Sequence, residues 1–281
     1  MSQPTSTQHA ESSQEPIKKP LVSGTAVDRL KGLRYAPSPS GVDSNLLVML
    51  HGLGDSSTPF FNLAQNLQST LPQTAVISLQ AQHVVPFLDP GQHWMWWSTF
   101  DQFGEILTKP DPTKTVADLV GLLAHLTNPI GSRSEQNATH RGCGWDPKHI
   151  HLFGFGQGAT AALETMVAWT RRYRSDRGPL GSVVSVSGDL VSHPSMDPPN
   201  PTPVLHVYRA AKPIPSDSSR FSSLRKATAS LQLQRLELAP GGTKEAMPRS
   251  KPEWDPIMSF WSKFFRHRGK WELDGQVIPL S

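Results

Sequence analysis

One stretch near the middle of the chain constrains the fold more than any other. It runs from His149 to Ala161 and reads HIHLFGFGQGATA, an apolar run followed by a glycine-rich turn and then by helix-forming residues. Gly154 and Gly158 frame the turn with the spacing of a G-x-S-x-G nucleophile elbow, a sharp strand-to-helix turn with a serine at its centre. Here the centre is Gly156, so the frame of an elbow is present and its nucleophile is missing.

The rest of the chain alternates predicted strands and helices around this turn. Continuous apolar runs bounded by turn residues predict buried parallel strands at 45–50, 74–79, 149–155, 182–187 and 204–208, and residues 231–238 alternate leucine with polar residues as in a half-exposed edge strand. Helical spacing of apolar residues predicts helices from 58, over 112–127 and 157–172, weakly over 216–230, and from 251 to 265. This order predicts an α/β fold, with a mostly parallel sheet and helices on both faces.

The two ends of the chain differ in composition from the middle. The first 23 residues are rich in Ser, Gln, Thr and Pro and lack the apolar region of a secretory signal, which predicts a disordered N-terminal tail. We expect a single domain over residues 24–268 and a short tail over 269–281. Within the domain, the polar insertion 128–144 is expected to form a flexible surface loop.

Charge and cysteine content exclude several classes of function. The 27 Lys and Arg are dispersed among 23 Asp and Glu, and the basic runs 171–174 and 264–268 end predicted helices, where cations are favoured, so nucleic-acid binding is not expected. A single cysteine, Cys143, excludes an internal disulfide and a cysteine-based zinc cluster. We expect no metal, no cofactor and no membrane span, and a location in the cytosol, with the nucleus also open.

An aromatic segment follows the second predicted strand. Residues 80–109 are irregular and contain Trp94, Trp96 and Trp97 together with Phe100 and Phe103. A long loop at the carboxyl end of a strand is where an α/β fold places its ligand. The tryptophans could equally close the core, and the sequence leaves both interpretations open.

Four motifs together resemble the acyl-protein thioesterase and lysophospholipase/carboxylesterase family of the α/β-hydrolase fold. They are HGLGD at 51–55, the proline- and tryptophan-bearing loop 86–97, GFGQG at 154–158 and the Ser-Gly pair at 187–188. The resemblance covers about residues 45–266. It implies a fold, a class of substrate (carboxylic esters and thioesters) and a set of site residues.

Carried onto this chain, the resemblance implies an oxyanion hole without a catalytic triad. The backbone N–H groups of Leu53 and Gln157 match the family's oxyanion donors. The family's Asp follows the strand 204–208, where this chain has Lys212, and its His lies in a loop that here reads PGGTKE, with Lys244 near the expected place. Serine, acid and base are therefore all replaced, at Gly156, Lys212 and Lys244 respectively.

A relocated triad is the alternative. Asp189 ends the neighbouring strand and could supply an acid, while His83 and His93 lie in the aromatic segment. We expect His51 to support its loop by hydrogen bonds, and His149 and His151 to lie at the far end of the sheet. A rearranged site requires a serine, a histidine and an acid within hydrogen-bond reach near the oxyanion donors.

Two functions follow from this pattern. The first is a catalytically inactive homologue that binds an acyl chain or a protein segment at the aromatic loop, or acts as a scaffold. The second is a cytosolic carboxylic-ester or thioester hydrolase with a rearranged active site. Glycine favours the first, because it occupies strained backbone regions at little steric cost and can keep the turn while deleting the chemistry.

Overall fold

The computed structural model describes residues 18–19, 30, 32–86, 88–89, 91–130 and 142–273. The predicted tails therefore lie largely outside the described residues, as do residues 131–141 of the predicted surface loop. Lys19, which falls within the predicted N-terminal tail, is buried, and its backbone N–H donates to Asp43 Oδ2 at 2.9 Å.

A seven-stranded sheet forms the centre of the molecule, with the order β1-β3-β2-β6-β7-β8-β9. Its strands are β1 (Arg34–Ala36), β2 (Asn45–Leu50), β3 (Thr74–Leu79), β6 (Ile150–Phe155), β7 (Ser182–Val186), β8 (Val204–Ala210) and β9 (Leu231–Glu237). All neighbours pair in parallel except β1, which is antiparallel to β3. This confirms the predicted α/β class and the mostly parallel sheet.

Helices cover the two faces of this sheet. They are α1 (Ser57–Gln68), α2 (Thr113–Thr127), α3 (Gln157–Tyr173), the short α4 (Ser222–Ala227), α5 (Lys251–Phe264) and α6 (Lys270–Leu273). The apolar side chains of α2 and α3 pack on one face, and those of α1 and α5 pack on the other. In the ranges that the structure describes, no helix combines the length and apolarity that a membrane span requires.

Most predicted elements are confirmed, and the errors have local causes. β2 and β3 match their predicted bounds, and β9 is the half-exposed edge strand expected from its alternating leucines. The predicted helix 216–230 is wrong in length, since a 3₁₀ turn (Ser219–Phe221) precedes the six-residue α4. Likewise, β6 begins one residue later than predicted, because Pro147–His149 form a 3₁₀ turn.

Short strands escaped the sequence pattern altogether. β1 has three residues, and β4 (His83–Val84) and β5 (Trp94–Met95) have two each. An alternation of apolar and polar residues cannot be recognised over so few positions. The β4–β5 ladder organises the aromatic segment, which was expected to be irregular.

Glycines bring the start of α3 into direct contact with the sheet. A Cβ at Gly158 would lie 2.3 Å from the carbonyl oxygen of His51, and one at Gly154 would lie 2.4 Å from that of Gly158. Both distances are shorter than any side chain tolerates, so glycine is required at these positions. The helix is thus fixed against the carboxyl ends of β6 and β2, which is where the motifs of the sequence converge.

Candidate functional site: an elbow without a nucleophile

The turn between β6 and α3 has the backbone of a nucleophile elbow. Gly156 has φ 52° and ψ −120°, a conformation that L-residues adopt only under strain. Its N–H donates to Val186 O at 2.8 Å, and its carbonyl accepts from Ala159 and Thr160 at 3.0 and 3.1 Å. The turn is therefore firmly held although its central residue has no side chain.

Space for that side chain is present. A Cβ built on Gly156 would have Glu245 Oε2 and Gly52 Cα as its nearest neighbours, each at 3.9 Å, which is ordinary van der Waals contact. A serine would fit here sterically, and the group it would meet is a carboxylate. The sequence alone did not single out Glu245, because its approach depends on how the 240–245 loop folds back.

The resemblance assigns two backbone donors to the same region. Gln157 is the first residue of α3, so its N–H belongs to the helical turn that lacks internal partners, and Leu53 follows Gly52 in the neighbouring loop. Across the described part of the chain, neither N–H donates a hydrogen bond. A Cβ on Gly52 would lie 2.7 Å from the Phe155 ring, so glycine lets the Leu53 loop approach the elbow.

The two lysines that the resemblance assigns to the remaining triad positions are exposed. Lys212 follows the end of β8 by two residues, and Lys244 lies in the loop after β9. The carbonyl of Lys244 accepts a 3.4 Å hydrogen bond from Ser187 Oγ. The structure brings the 240–245 loop to the elbow, as the resemblance implies, but no histidine comes with it.

His51 supports the loop that carries Leu53. Its Nε2 accepts from the Ala81 N–H at 3.0 Å, which places the proton on Nδ1, and Nδ1 lies 2.7 Å from Gly52 O. Burial lowers the pKa of His51, so the ring stays neutral. His93 also contacts the backbone, because its Nδ1 lies 2.8 Å from Gly54 O. Both histidines therefore hold backbone and neither faces the elbow as a base.

Two of the three tryptophans of the aromatic segment belong to the core. Trp96 and Trp97 are 1% and 6% exposed, and Trp96 Nε1 donates to His51 O at 2.8 Å. This favours the core-closing interpretation for these two residues. Trp94 is half-buried and lines a cavity of about 880 Å³ together with Arg34 and Ser56.

Gln157 connects the aromatic segment to the elbow. Its Oε1 accepts from the Trp96 N–H at 2.7 Å, and its Nε2 donates to Thr99 Oγ1 at 2.9 Å. Thr99 begins a small antiparallel loop in which Leu107 N–H donates to Thr99 O at 2.8 Å. The side chain of Gln157 thus fixes this loop, while its main chain supplies one of the two donors at the elbow.

Exposed apolar side chains are concentrated in the loops around this region. Phe103 and Ile106 are 78% and 73% exposed in the loop that Thr99 begins, and Leu53 is 42% exposed beside its own free N–H. Val84 and Leu88 are also exposed in the β4–β5 hairpin. An apolar ligand would find several contacts there.

Comparison with known proteins decides the family. The family model for phospholipase/carboxylesterase proteins matches residues 36–216. The chain belongs to the phospholipase/carboxylesterase family. It is 52% identical over 266 residues to an uncharacterized hydrolase of Mycosarcoma maydis, covering 95% of this chain and 94% of that protein. It is 31% identical over 244 residues to an uncharacterized hydrolase of Schizosaccharomyces pombe, covering 84% and 89%.

Solved structures agree on the fold. The crystal structure of esterase PE8 aligns with a TM-score of 0.60 and 21% identity, covering 83% of this chain and 98% of that chain. Acyl-protein thioesterase 2 of Zea mays aligns with a TM-score of 0.52 and 17% identity, covering 82% and 97%. The α/β-hydrolase fold of the phospholipase/carboxylesterase family is therefore confirmed.

A serine, a histidine and an acid do meet in this family member, but the serine and the histidine lie inside the sheet. Ser185 Oγ lies 3.4 Å from His206 Nδ1, and His206 Nε2 lies 3.4 Å from Asp189 Oδ1. Ser185 and His206 are fully buried, and the hydroxyl donates to Gly188 O at 2.6 Å. Burial lowers the pKa of His206 to about 4, partly offset by Asp189. Asp189 is thus near a histidine, as a relocated acid requires, but the serine cannot reach a substrate.

Arg209 is a positioning residue that the sequence reading missed. Its guanidinium is 8% exposed and makes two 2.8 Å contacts with the Glu253 carboxylate, while donating to Ala246 O at 3.2 Å and Met247 O at 2.9 Å. These bonds fix the residues directly after Glu245. The sequence signal that could have identified Arg209 is its charge within a strand, β8, that is otherwise mostly apolar.

The basic runs bind the protein's own backbone. Arg174 donates to Pro198 O and Pro199 O at 2.6 and 2.8 Å, and Arg177, just beyond the first run, donates to Ala124 O at 2.9 Å. In the second run Arg266 pairs with Glu272 at 3.1 Å, and Arg268 is buried. These arginines are therefore engaged within the protein itself.

Proposed function

We propose that this member of the phospholipase/carboxylesterase family is a non-catalytic binding protein that holds a carbonyl-bearing ligand at its elbow. The observation that carries the proposal is Gly156, which has the elbow backbone and no nucleophile. The loss of the nucleophile agrees with the other two triad positions, at which the resemblance places lysines instead of an acid and a base. A laboratory substitution would usually change one residue rather than three.

The expected loss of turnover is large. Removing the nucleophile or its base from a serine hydrolase costs on the order of 10⁶ in turnover, and the losses do not add. Binding and oxyanion stabilisation alone leave roughly 10³–10⁴ over the uncatalysed rate. A rate of that size is negligible for an enzyme, so selection on the retained elbow is better explained by binding.

The ligand contacts follow from the groups at the elbow. The N–H groups of Leu53 and Gln157 can both donate to one carbonyl oxygen, as they would to an oxyanion. The exposed apolar side chains, among them Phe103 and Ile106, suit an acyl chain or an apolar protein segment. A binding protein of this kind would hold an acyl group without releasing it by hydrolysis.

The alternative is a hydrolase with a rearranged centre. Ser185, His206 and Asp189 are the residues that favour it, because they form a chain of the correct types. Full burial of the serine argues against it, since a nucleophile must reach the ester carbon. Labelling of Ser185 by a fluorophosphonate in the native protein would establish this alternative and overturn the proposal.

Binding at the elbow can be tested with a matched pair of variants. Gln157→Ala removes the side-chain bonds to Trp96 and Thr99, and Gln157→Pro removes those bonds together with the backbone N–H. Proline is tolerated at the first position of a helix, so both variants should fold. An octanoyl ligand such as methyl octanoate, titrated with detection by NMR, should bind the alanine variant several-fold tighter than the proline variant. Equal affinity would exclude the Gln157 N–H as a contact.

A further inference from the structure

The carboxylate of Glu245 occupies an unusual place for this fold. Its Oε2 lies 3.9 Å from the position of a Cβ on Gly156, beside the space that a nucleophile would fill. In the described ranges, this carboxylate makes no ion pair or hydrogen bond, because Thr243 Oγ1 reaches only the Glu245 main-chain oxygen. An acceptor with free lone pairs therefore lies beside the turn at which the resemblance implies two free donors.

The surrounding structure holds the backbone on both sides of Glu245. Ser187 Oγ donates to the carbonyl of the preceding residue, Lys244, at 3.4 Å. Arg209 donates to the carbonyls of the two following residues, Ala246 and Met247, at 3.2 and 2.9 Å. Both sides of Glu245 are thus fastened to the sheet, so its backbone is held beside the elbow, within reach of the Gly156 position for its carboxylate.

We infer that the elbow selects amides, with the amide oxygen on the N–H groups of Leu53 and Gln157 and the amide N–H on the Glu245 carboxylate. This inference rests on the proposed function and names the ligand class of the same site. A primary or secondary amide carries an acceptor oxygen and a donor N–H on the same carbonyl carbon. Glu245 is therefore the specificity-determining residue of the site.

Other ligand classes match the three groups less well. An ester or thioester accepts from the two N–H groups but has nothing to donate to Glu245. A carboxylate ligand would place its second oxygen against the Glu245 carboxylate, and like charges at such distances repel. An ammonium group would suit Glu245 but would meet the N-terminus of α3, where the helix dipole is positive.

A set of octanoyl ligands tests the inference. Octanamide, N,N-dimethyloctanamide, methyl octanoate and octanoate share one chain, and only octanamide has an N–H to donate. Binding to ¹⁵N-labelled protein is followed through the Leu53 and Gln157 amide signals. Octanamide should bind the wild type about tenfold tighter than N,N-dimethyloctanamide, the lower end for a hydrogen bond to a charged group because Glu245 is exposed.

The variants separate Glu245 from a general effect of charge. Glu245→Ala should reduce the ratio between the two amides to about one, and Glu245→Gln should leave it near threefold, since a neutral acceptor remains. Asp176→Asn is the matched control. It removes an exposed carboxylate beyond the far end of α3, roughly 25 Å from the elbow by the rise of its 17 residues, and should preserve the tenfold ratio.

The possible results distinguish this inference from the function on which it rests. If all four ligands shift the Leu53 and Gln157 signals but Glu245→Ala keeps the tenfold ratio, amide selection by Glu245 is wrong and binding at the elbow stands. Tightest binding of octanoate would have the same meaning. If no ligand shifts these signals, or if methyl octanoate is hydrolysed at enzymatic rates, the proposed function fails and the inference fails with it.

Discussion

Replacing Gly156 by alanine should destabilise the protein even though the added methyl group has room. The nearest atoms to the new Cβ would lie at 3.9 Å, so no clash is expected. The backbone, however, sits at φ 52° and ψ −120°, a region that costs a non-glycine residue about 1–3 kcal/mol. The free energy of unfolding should therefore fall by about that amount, and the loss comes from backbone strain alone.

A control of opposite sign is available in α2. Gly121 lies in the interior of that helix, exposed, with nothing within 4 Å of its Cβ position. Gly121→Ala should stabilise the protein by about 0.5–1 kcal/mol, because glycine is unfavourable in a helix. The same chemical change thus lowers stability at the elbow and raises it in the helix.

Urea unfolding followed by tryptophan fluorescence measures both effects. With a slope of about 3 kcal/mol/M, the midpoint should fall by about 0.3–1 M for Gly156→Ala and rise by about 0.2–0.3 M for Gly121→Ala. A midpoint for Gly156→Ala equal to or above that of the wild type would refute the reasoning. That result would mean that the backbone at the elbow is not strained for a residue with a side chain. Avoidance of strain would then not explain why glycine occupies position 156.

Three further predictions follow from the same contacts. Gly156→Ser should remain unlabelled by a fluorophosphonate, because no imidazole of the described residues lies within 4 Å of the new Cβ to activate the hydroxyl; stoichiometric labelling seen by intact mass spectrometry would contradict this. The hydrogen bond from Arg209 lowers the pKa of Glu253. The free energy of unfolding of the wild type should therefore exceed that of Glu253→Gln by about 1–2 kcal/mol at pH 7. That advantage should vanish as the pH falls below the ordinary value of 4.5 and through the lowered pKa, and an unchanged difference at pH 3 would disprove it. Burial raises the pKa of Cys143 to about 11, so a thiol reagent should modify it far more slowly in native protein than in urea, and equal rates would show that the site opens readily.

The pattern of buried strands was sufficient to predict the architecture. β2 and β3 have continuous apolar runs because both faces of a parallel sheet are covered, and such runs are visible in a sequence. The elbow was visible for a related reason, since Gly154 and Gly158 are required where backbone atoms lie within 2.5 Å of the position that a Cβ would occupy. The order of the seven strands, in contrast, was not predicted from the sequence and is seen in the structure.

Groups that act through long-range contacts were not predictable in this way. Glu245 reaches the elbow because Arg209 and Ser187 fasten its neighbours, and these contacts join residues 37, 38 and 57 positions apart. No local spacing encodes them. The same holds for Trp96 and Trp97, whose burial depends on the partners that Gln157 and His51 offer across the fold.

Two predictions about the site itself can be compared with the structure. The sequence predicted that His51 supports its loop, and the bonds of its ring to Gly52 and Ala81 confirm this. It also left open a relocated serine, histidine and acid. Such a chain exists at Ser185, His206 and Asp189, but its serine and histidine are buried. The sequence pattern could not reveal this, because every residue of β7 and every residue of β8 but the last is covered, so no alternation is present.

Hydrolysis of an ester and thioester panel by the purified protein tests the absence of catalysis most directly. Turnover should not exceed roughly 10³–10⁴ over the uncatalysed reaction, and it should be the same for wild type and for Ser185→Ala, since neither has a reachable nucleophile. Turnover on the order of 1–10³ s⁻¹, retained through purification and absent from a mock preparation, would contradict the account. The elbow would then have to be understood as a reaction centre that works without its serine.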